Sequence, residues 1–216
     1  MNRKYLFLTG AGLVFLGFIA ATVLYQNNKT TLKGISVSQN QDVLERQGAP
    51  VIGPVDAKVT IVEFFDPACG TCASFSPLVK QFINQYPGKV RLMMRYAPLH
   101  TGSDQVVKML EAAHQQGKFW PALDLLFKNQ QRWVVNHVSQ PMRARSILNG
   151  MAMDHEKLNS DMHRPEITQA IQKDVDDSQA LNVQATPEFF VNGRPMPSFG
   201  YKQLSQLVKE AVDENY

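Results

Sequence analysis

Residues 59–77 read Val-Thr-Ile-Val-Glu-Phe-Phe-Asp-Pro-Ala-Cys-Gly-Thr-Cys-Ala-Ser-Phe-Ser-Pro and contain both cysteines of the chain, Cys69 and Cys72. Val59 to Phe65 is apolar and β-branched with one charge, Glu63, which is the pattern of a strand buried on both faces of a sheet. Asp66 and Pro67 end it. From Phe75 the apolar residues fall at Leu78, Val79, Phe82, Ile83 and Tyr86, steps of three and four that describe one face of a helix, and Pro87-Gly88 stops it. The two cysteines therefore stand where a buried strand turns into the first turn of a helix.

That position has chemical consequences. The unpaired N–H groups and the positive end of the helix dipole stabilise an anion, so a thiol there ionises more readily than a free cysteine. Cys69 is accordingly the expected nucleophile. Cys72, three residues on and one turn later, is within disulfide reach and can resolve a mixed disulfide formed by Cys69. A purely structural disulfide would close too short a loop to remove much chain entropy. A zinc knuckle would need a second ligand pair, and the chain has no further cysteine. The five histidines show no close metal-binding pair, His155 and His163 being the nearest approach, and read as solvated surface.

The 216 residues, 44% hydrophobic and 19% charged, suffice for one core of ordinary domain size plus an appendage. A net charge of +3 without a basic run does not point to nucleic acid. Tyr5 to Tyr25, preceded by Arg3 and Lys4, carries no charge and is mostly apolar, long enough for one membrane crossing of about 20 residues. A cleaved signal peptide would have a shorter core, roughly 7 to 15 residues, and a small-x-small site, whereas this run ends in Val23-Leu24-Tyr25 and then Gln26-Asn27-Asn28. Residues 1–25 are expected to be an uncleaved signal anchor in the inner membrane. Arg3 and Lys4 would stay in the cytoplasm and the remainder would face the periplasm. Residues 26–50 read as a polar tether. An exported dithiol pair with no spare cysteine suits an oxidising compartment.

Lys89 to Tyr96 reads as a second strand, so that strand, helix and strand form a parallel βαβ unit. Helical spacing then persists from Ser103, taken as the cap of a helix through Val106, Val107, Leu110 and Ala113. Further helices are expected around Phe119 to Phe127, from Pro141 to about Met153, and from Pro165 through Ile171 and Val175. This block, about residues 103–181, is expected to be a helical insertion. The core resumes at Ala185-Thr-Pro-Glu-Phe-Phe-Val-Asn-Gly, where Phe189 to Val191 is a short strand and Asn192-Gly193 signals a hairpin. Tyr201 to Asn215 is a final helix.

Taken together, the acidic buried strand, Cys69-Gly70-Thr71-Cys72 opening a helix that contains Pro77, the helical insertion and Thr186-Pro187 before a hairpin resemble the DsbA family of thioredoxin-fold proteins. The resemblance covers about Pro50 to Tyr216. It implies an α/β thioredoxin-like domain with an inserted helical subdomain at 51–216, preceded here by one transmembrane helix. It further implies a protein thiol-disulfide oxidoreductase with no cofactor or metal. Pro187 would correspond to the family's cis-proline, Thr186 would offer its backbone to an extended substrate segment beside Gly70 and Thr71, and Glu63 matches the acidic residue beneath the cysteine pair. Independently of the family, burial of Glu63 would raise its pKa so that it could exchange a proton with Cys72. At a strand end it would instead face solvent.

The expected partners are exported proteins with cysteines and a membrane redox partner that resets the pair. Gly70-Thr71 is neither the Pro-His of the strong oxidases nor the Gly-Pro of thioredoxins, so the same fold running as a reductase or isomerase stands as an alternative. A third reading is a Cu(I)-binding protein that uses the cysteines and nearby methionines, since soft sulfur ligands select that ion. Met93, Met94 and most of the others, however, fall in expected core positions.

Overall fold

The computed structural model describes Thr22 and residues 43–216. Among these residues no helix is long and apolar enough to cross a membrane. The anchor expected at residues 1–25 lies, apart from Thr22, outside the described residues.

Strand β1 (Val51–Ile52) leads into β2 (Val59–Phe65), helix α1 (Gly70–Gln85) and β3 (Val90–Tyr96). Strands β2 and β3 pair in parallel from Val59–Val90 to Phe65–Tyr96, which makes the expected βαβ unit. Every residue of β2 is buried, as a central strand covered on both faces requires. The strand's period of two sends Ile61, Glu63 and Phe65 towards α1, and Val62 and Phe64 to the opposite face.

Between β3 and the next core strand lie α2 (Ser103–His114), α3 (Phe119–Lys128), α4 (Gln130–Trp133), a small hairpin of β4 (Val134–Val135) and β5 (Val138–Ser139), α5 (Pro141–Leu148), α6 (His155–Asp161) and α7 (Pro165–Ala180). Then follow β6 (Glu188–Val191), β7 (Arg194–Pro195) and α8 (Tyr201–Asn215). The sheet order is β1-β3-β2-β6-β7, and all pairs other than β2–β3 are antiparallel. Asn192 and Gly193 both take positive φ, 46° and 79°, which is the turn their dipeptide demands. The antiparallel partner after this turn is short, Arg194–Pro195.

Two apolar clusters flank the sheet. On one face α1, α8 and the insertion bury Ile61, Phe65, Cys72, Val79, Phe82, Leu204 and Val208. On the other, Val62, Phe64, Met93 and Phe190 pack with Leu44, Ala49 and Val183. Leu44 is only 1% exposed, so the tether expected through residue 50 ends sooner: from Val43 the chain already lies on the domain. Phe119 is buried against Phe65 and Tyr96, and Trp120 donates its indole N–H to the Val51 carbonyl at 3.2 Å, as core residues of the insertion.

Ser103 is not the cap of α2. Gly102 holds that position at φ 80°, where a Cβ would come within 3.0 Å of the Ser139 carbonyl. The Ser103 hydroxyl is therefore free to serve another part of the fold.

Candidate active site

Asp66, the residue that ends β2, builds the loop that carries the cysteines. Its Oδ1 accepts from the Ala68 N–H and the Ser103 hydroxyl, each at 2.7 Å. Its Oδ2 accepts from the His100 N–H at 2.7 Å and lies 2.8 Å from His100 Nδ1. Its carbonyl accepts from the Cys69 N–H at 3.0 Å. A buried carboxylate is stable only when its lone pairs are used in this way, and here it locks the loop after β2 to the loop after β3.

From the insertion, Gln130 closes the other side. Its amide donates to the Pro67 and Cys69 carbonyls at 2.9 and 3.0 Å.

Cys69 sits just before α1 as its N-cap, and its sulfur accepts from the Cys72 N–H at 3.4 Å. Both thiols are free. Cys69 is 6% exposed next to the exposed Gly70 and Thr71, whereas Cys72 is fully buried. When protonated, the Cys69 thiol donates to the Thr186 carbonyl at 3.1 Å. The Thr186–Pro187 bond is cis, which brings that carbonyl against the cysteine pair.

The two thiols are driven apart in acidity. The Cys72 S–H bond to Cys69, with lesser help from the Thr186 hydroxyl and the Cys72 and Thr71 N–H groups, outweighs burial and lowers the Cys69 pKa to about 5. Burial first, then the same hydrogen bond and the charges of Glu63 and Cys69, push Cys72 well above the usual thiol range.

Glu63 lies in the middle of β2, opposite Met94 and Phe189, and is 1% exposed. It does not face solvent. Its Oε1 has no hydrogen-bond partner. Burial, and secondarily the Cys69 charge, raise its pKa to about 8, against a smaller opposing influence of the Lys80 ammonium. The arrangement pairs a poised thiolate at the surface with a protonated thiol and a protonated carboxyl beneath it.

All the site residues expected from sequence converge here: Cys69, Cys72, Glu63, Gly70, Thr71, Thr186 and Pro187. Sequence reading gives Asp66 only as a strand breaker and Ser103 only as a helix cap, and misses Gln130 altogether. His100, read with the other histidines as solvated surface, stands against Asp66. The only prior sign for Asp66 was an acidic residue directly before the cysteine loop. Met93, Met94, Met109 and Met162 are buried core fillers, and no group of three or more histidine, cysteine or acidic side chains is arranged for a metal among the described residues.

A thioredoxin family model matches residues 45–210. Among curated relatives, disulfide bond formation protein D of Bacillus subtilis is 26% identical over 199 residues, covering 86% of both chains. The Na(+)/H(+) antiporter NhaA of Herminiimonas arsenicoxydans is 30% identical over 142 residues, 66% of this chain; the chain spans 22% of that protein's length. Among solved structures, a thioredoxin-like oxidoreductase from Silicibacter pomeroyi DSS-3 superposes with a TM-score of 0.69 at 31% identity, over 80% of this chain and 97% of that one. Alpha-DsbA1 of Wolbachia pipientis shares the fold at 16% identity, with a TM-score of 0.69 over 81% and 96% of the two chains. With the family match spanning most of the chain, the chain belongs to the thioredoxin family, and it has its fold in common with alpha-DsbA1.

Proposed function

We propose that this chain is an exported thiol-disulfide oxidoreductase that passes disulfides to cysteine-containing proteins through Cys69-Gly70-Thr71-Cys72. One observation carries the reading. The Cys69 sulfur lies at the start of α1, against the carbonyl before cis-Pro187, with the buried Glu63 carboxyl behind the pair. Support comes from disulfide bond formation protein D, which matches along most of its own length.

The chemistry follows from the split acidities. A substrate thiolate attacks Cys69 in the Cys69–Cys72 disulfide, forming a mixed disulfide and releasing Cys72 as the leaving thiolate. Cys72 is held at high pKa, so it takes a proton, and the neutral Glu63 carboxyl donates it. A second substrate thiolate then attacks the substrate sulfur of the mixed disulfide and expels Cys69, a good leaving group because its thiolate is stabilised. The substrate loses two electrons and the protein is left with a Cys72 thiol and a Cys69 thiolate, to be reoxidised by a membrane redox partner. Residues 1–25 would anchor the domain to the inner membrane with residues 51–216 in the periplasm.

A stabilised thiolate belongs to the reduced form, so it makes the disulfide the stronger oxidant. This favours the oxidase direction over reductase or isomerase, even without a histidine between the cysteines. The test is the reduction potential, obtained by equilibrating the protein with defined glutathione mixtures. A value towards about −120 mV is expected, and one near about −270 mV would turn the reading into a pair that must be kept reduced.

A further inference from the structure

Beside Cys69 the fold opens a cleft of ≈ 640 Å³ between the exposed first turn of α1 and the end of α3 with α4. Gly70 and Ser74 form one wall, and Lys128, Asn129, Gln130 and Arg132 form the other. Gln130, which holds the Cys69 carbonyl at 3.0 Å, fixes this wall to the reacting cysteine. A second cleft of ≈ 290 Å³ shares Arg132 and extends the lining to Arg143. No carboxylate lines either one.

An adjoining cleft shares Lys128 and holds Asp124, but that carboxylate is paired with Lys80, so the cations of this wall are left without a carboxylate partner among the described residues. Arg46, Arg91, Arg95, Arg164 and Arg194 each pair with a carboxylate. Arg132 meets only the Asn129 side-chain oxygen, at 3.1 Å, and neither Lys128 nor Arg143 has a carboxylate partner among the described residues. The sequence shows the same bias: from residue 125 to 153 there is no Asp or Glu, while Lys128, Arg132, Arg143 and Arg145 all occur. The first turn of α1 also lacks an acidic residue, so the positive end of its dipole faces the same space. A concave wall of one charge sign concentrates ligands of the opposite sign.

We propose that this cleft receives the acidic flank of a substrate polypeptide, with Lys128 and Arg132 selecting chains that carry Asp or Glu a few residues from the reacting cysteine. The inference rests on the thiol-exchange reading and names its substrate class. A concave site adjoining the nucleophile suits an extended chain better than a flat lipid surface.

The test uses the oxidised full-length chain and three single-cysteine peptides with Glu, Gln or Lys flanks. Each rate of mixed-disulfide formation is divided by that peptide's rate with a small neutral disulfide, because flanking charge alters the thiol itself. Oxidation of dithiothreitol is the uncharged reference. The Glu peptide is expected to react about tenfold faster than the Lys peptide at low salt, with the ratio shrinking as salt screens it. In Lys128→Glu/Arg132→Glu the ratio should invert. Equal peptide rates, or a ratio unchanged in the variant, would overturn the proposal. So would a charge effect confined to binding of vesicles containing phosphatidylglycerol, which would assign the cations to a lipid surface. If dithiothreitol itself is not oxidised, the exchange reading fails, and the substrate proposal fails with it.

Discussion

The N–H of Cys72 points at the sulfur of Cys69, 3.4 Å away, so the deeper cysteine stabilises the one nearer the surface through its backbone as well as through its own thiol. Removing only the side chain separates the two contributions. In the reduced protein, Cys69 alkylation by iodoacetamide should titrate near pH 5, about four units below an ordinary thiol. In Cys72→Ala the midpoint should move upward, because the S–H bond is lost while the N–H remains. The same variant should accumulate mixed disulfides with substrates, and Cys69→Ala should be inactive. Full exchange activity in Cys69→Ala would remove Cys69 from the mechanism.

Glu63 makes a prediction in two observables. If it supplies the proton to the departing Cys72, Glu63→Gln should slow exchange near neutral pH, by on the order of tenfold to a hundredfold for a lost general acid. Stability should respond as well. The folded pKa of about 8 lies above the ordinary value of 4.5. Below 4.5 the carboxyl is protonated in both states and nothing is lost. As pH rises from there through 8 the unfolded chain gives up its proton first, and stability falls by on the order of 5 kcal/mol in total. Reduced Glu63→Gln should lack this decline, so denaturant midpoints of the two proteins should diverge across that window. Parallel pH curves would mean the carboxylate is solvated in solution.

The Asp66 carboxylate serves the loop rather than the sulfur. Asp66→Ala would leave the Ala68 and His100 N–H groups and the Ser103 hydroxyl without their acceptor in a buried site. A loss of about 3 kcal/mol or more is expected in urea unfolding. Ser103→Ala removes two bonds, to Asp66 and to the Ser139 hydroxyl, and should lose about 1–2 kcal/mol, less than Asp66→Ala. A similar small effect of both substitutions would show that Asp66 does not hold the two loops together.

The parts of the fold legible in sequence are those with local signals. Strand β2, helix α1, strand β3, the Asn192-Gly193 turn and helix α8 each declare themselves by period or turn chemistry, and the cysteines by spacing. Strands β4 and β5 have two residues each, too few to show a period. What joins distant segments left no mark. Arg95 reads as a stray charge in a strand until Asp174 and Asp177, some eighty residues later, are folded against it. Gln130 is an unremarkable polar residue until its amide is seen on the Cys69 carbonyl.

The buried ionic cluster gives the last prediction, which concerns where the domain begins. Arg95, fully buried, bonds Asp174 at 2.6 Å, also reaches Asp177, and donates to the Val43 and Leu44 carbonyls. Arg46 reaches the same Asp174, at 2.6 Å. The segment before β1 is therefore held on the sheet by charge as well as by Leu44. Arg95→Met should destabilise by roughly 3–5 kcal/mol, since it strands buried carboxylates. A chain starting at Pro50 should lose a comparable amount relative to one starting at Gln41, because it discards Leu44, whose burial alone accounts for about 2–5 kcal/mol, together with the Arg46 ion pair. The comparison is made by urea unfolding of the two truncated proteins. Equal midpoints would mean that residues 43–49 only lie on the domain and that the folded unit starts at β1.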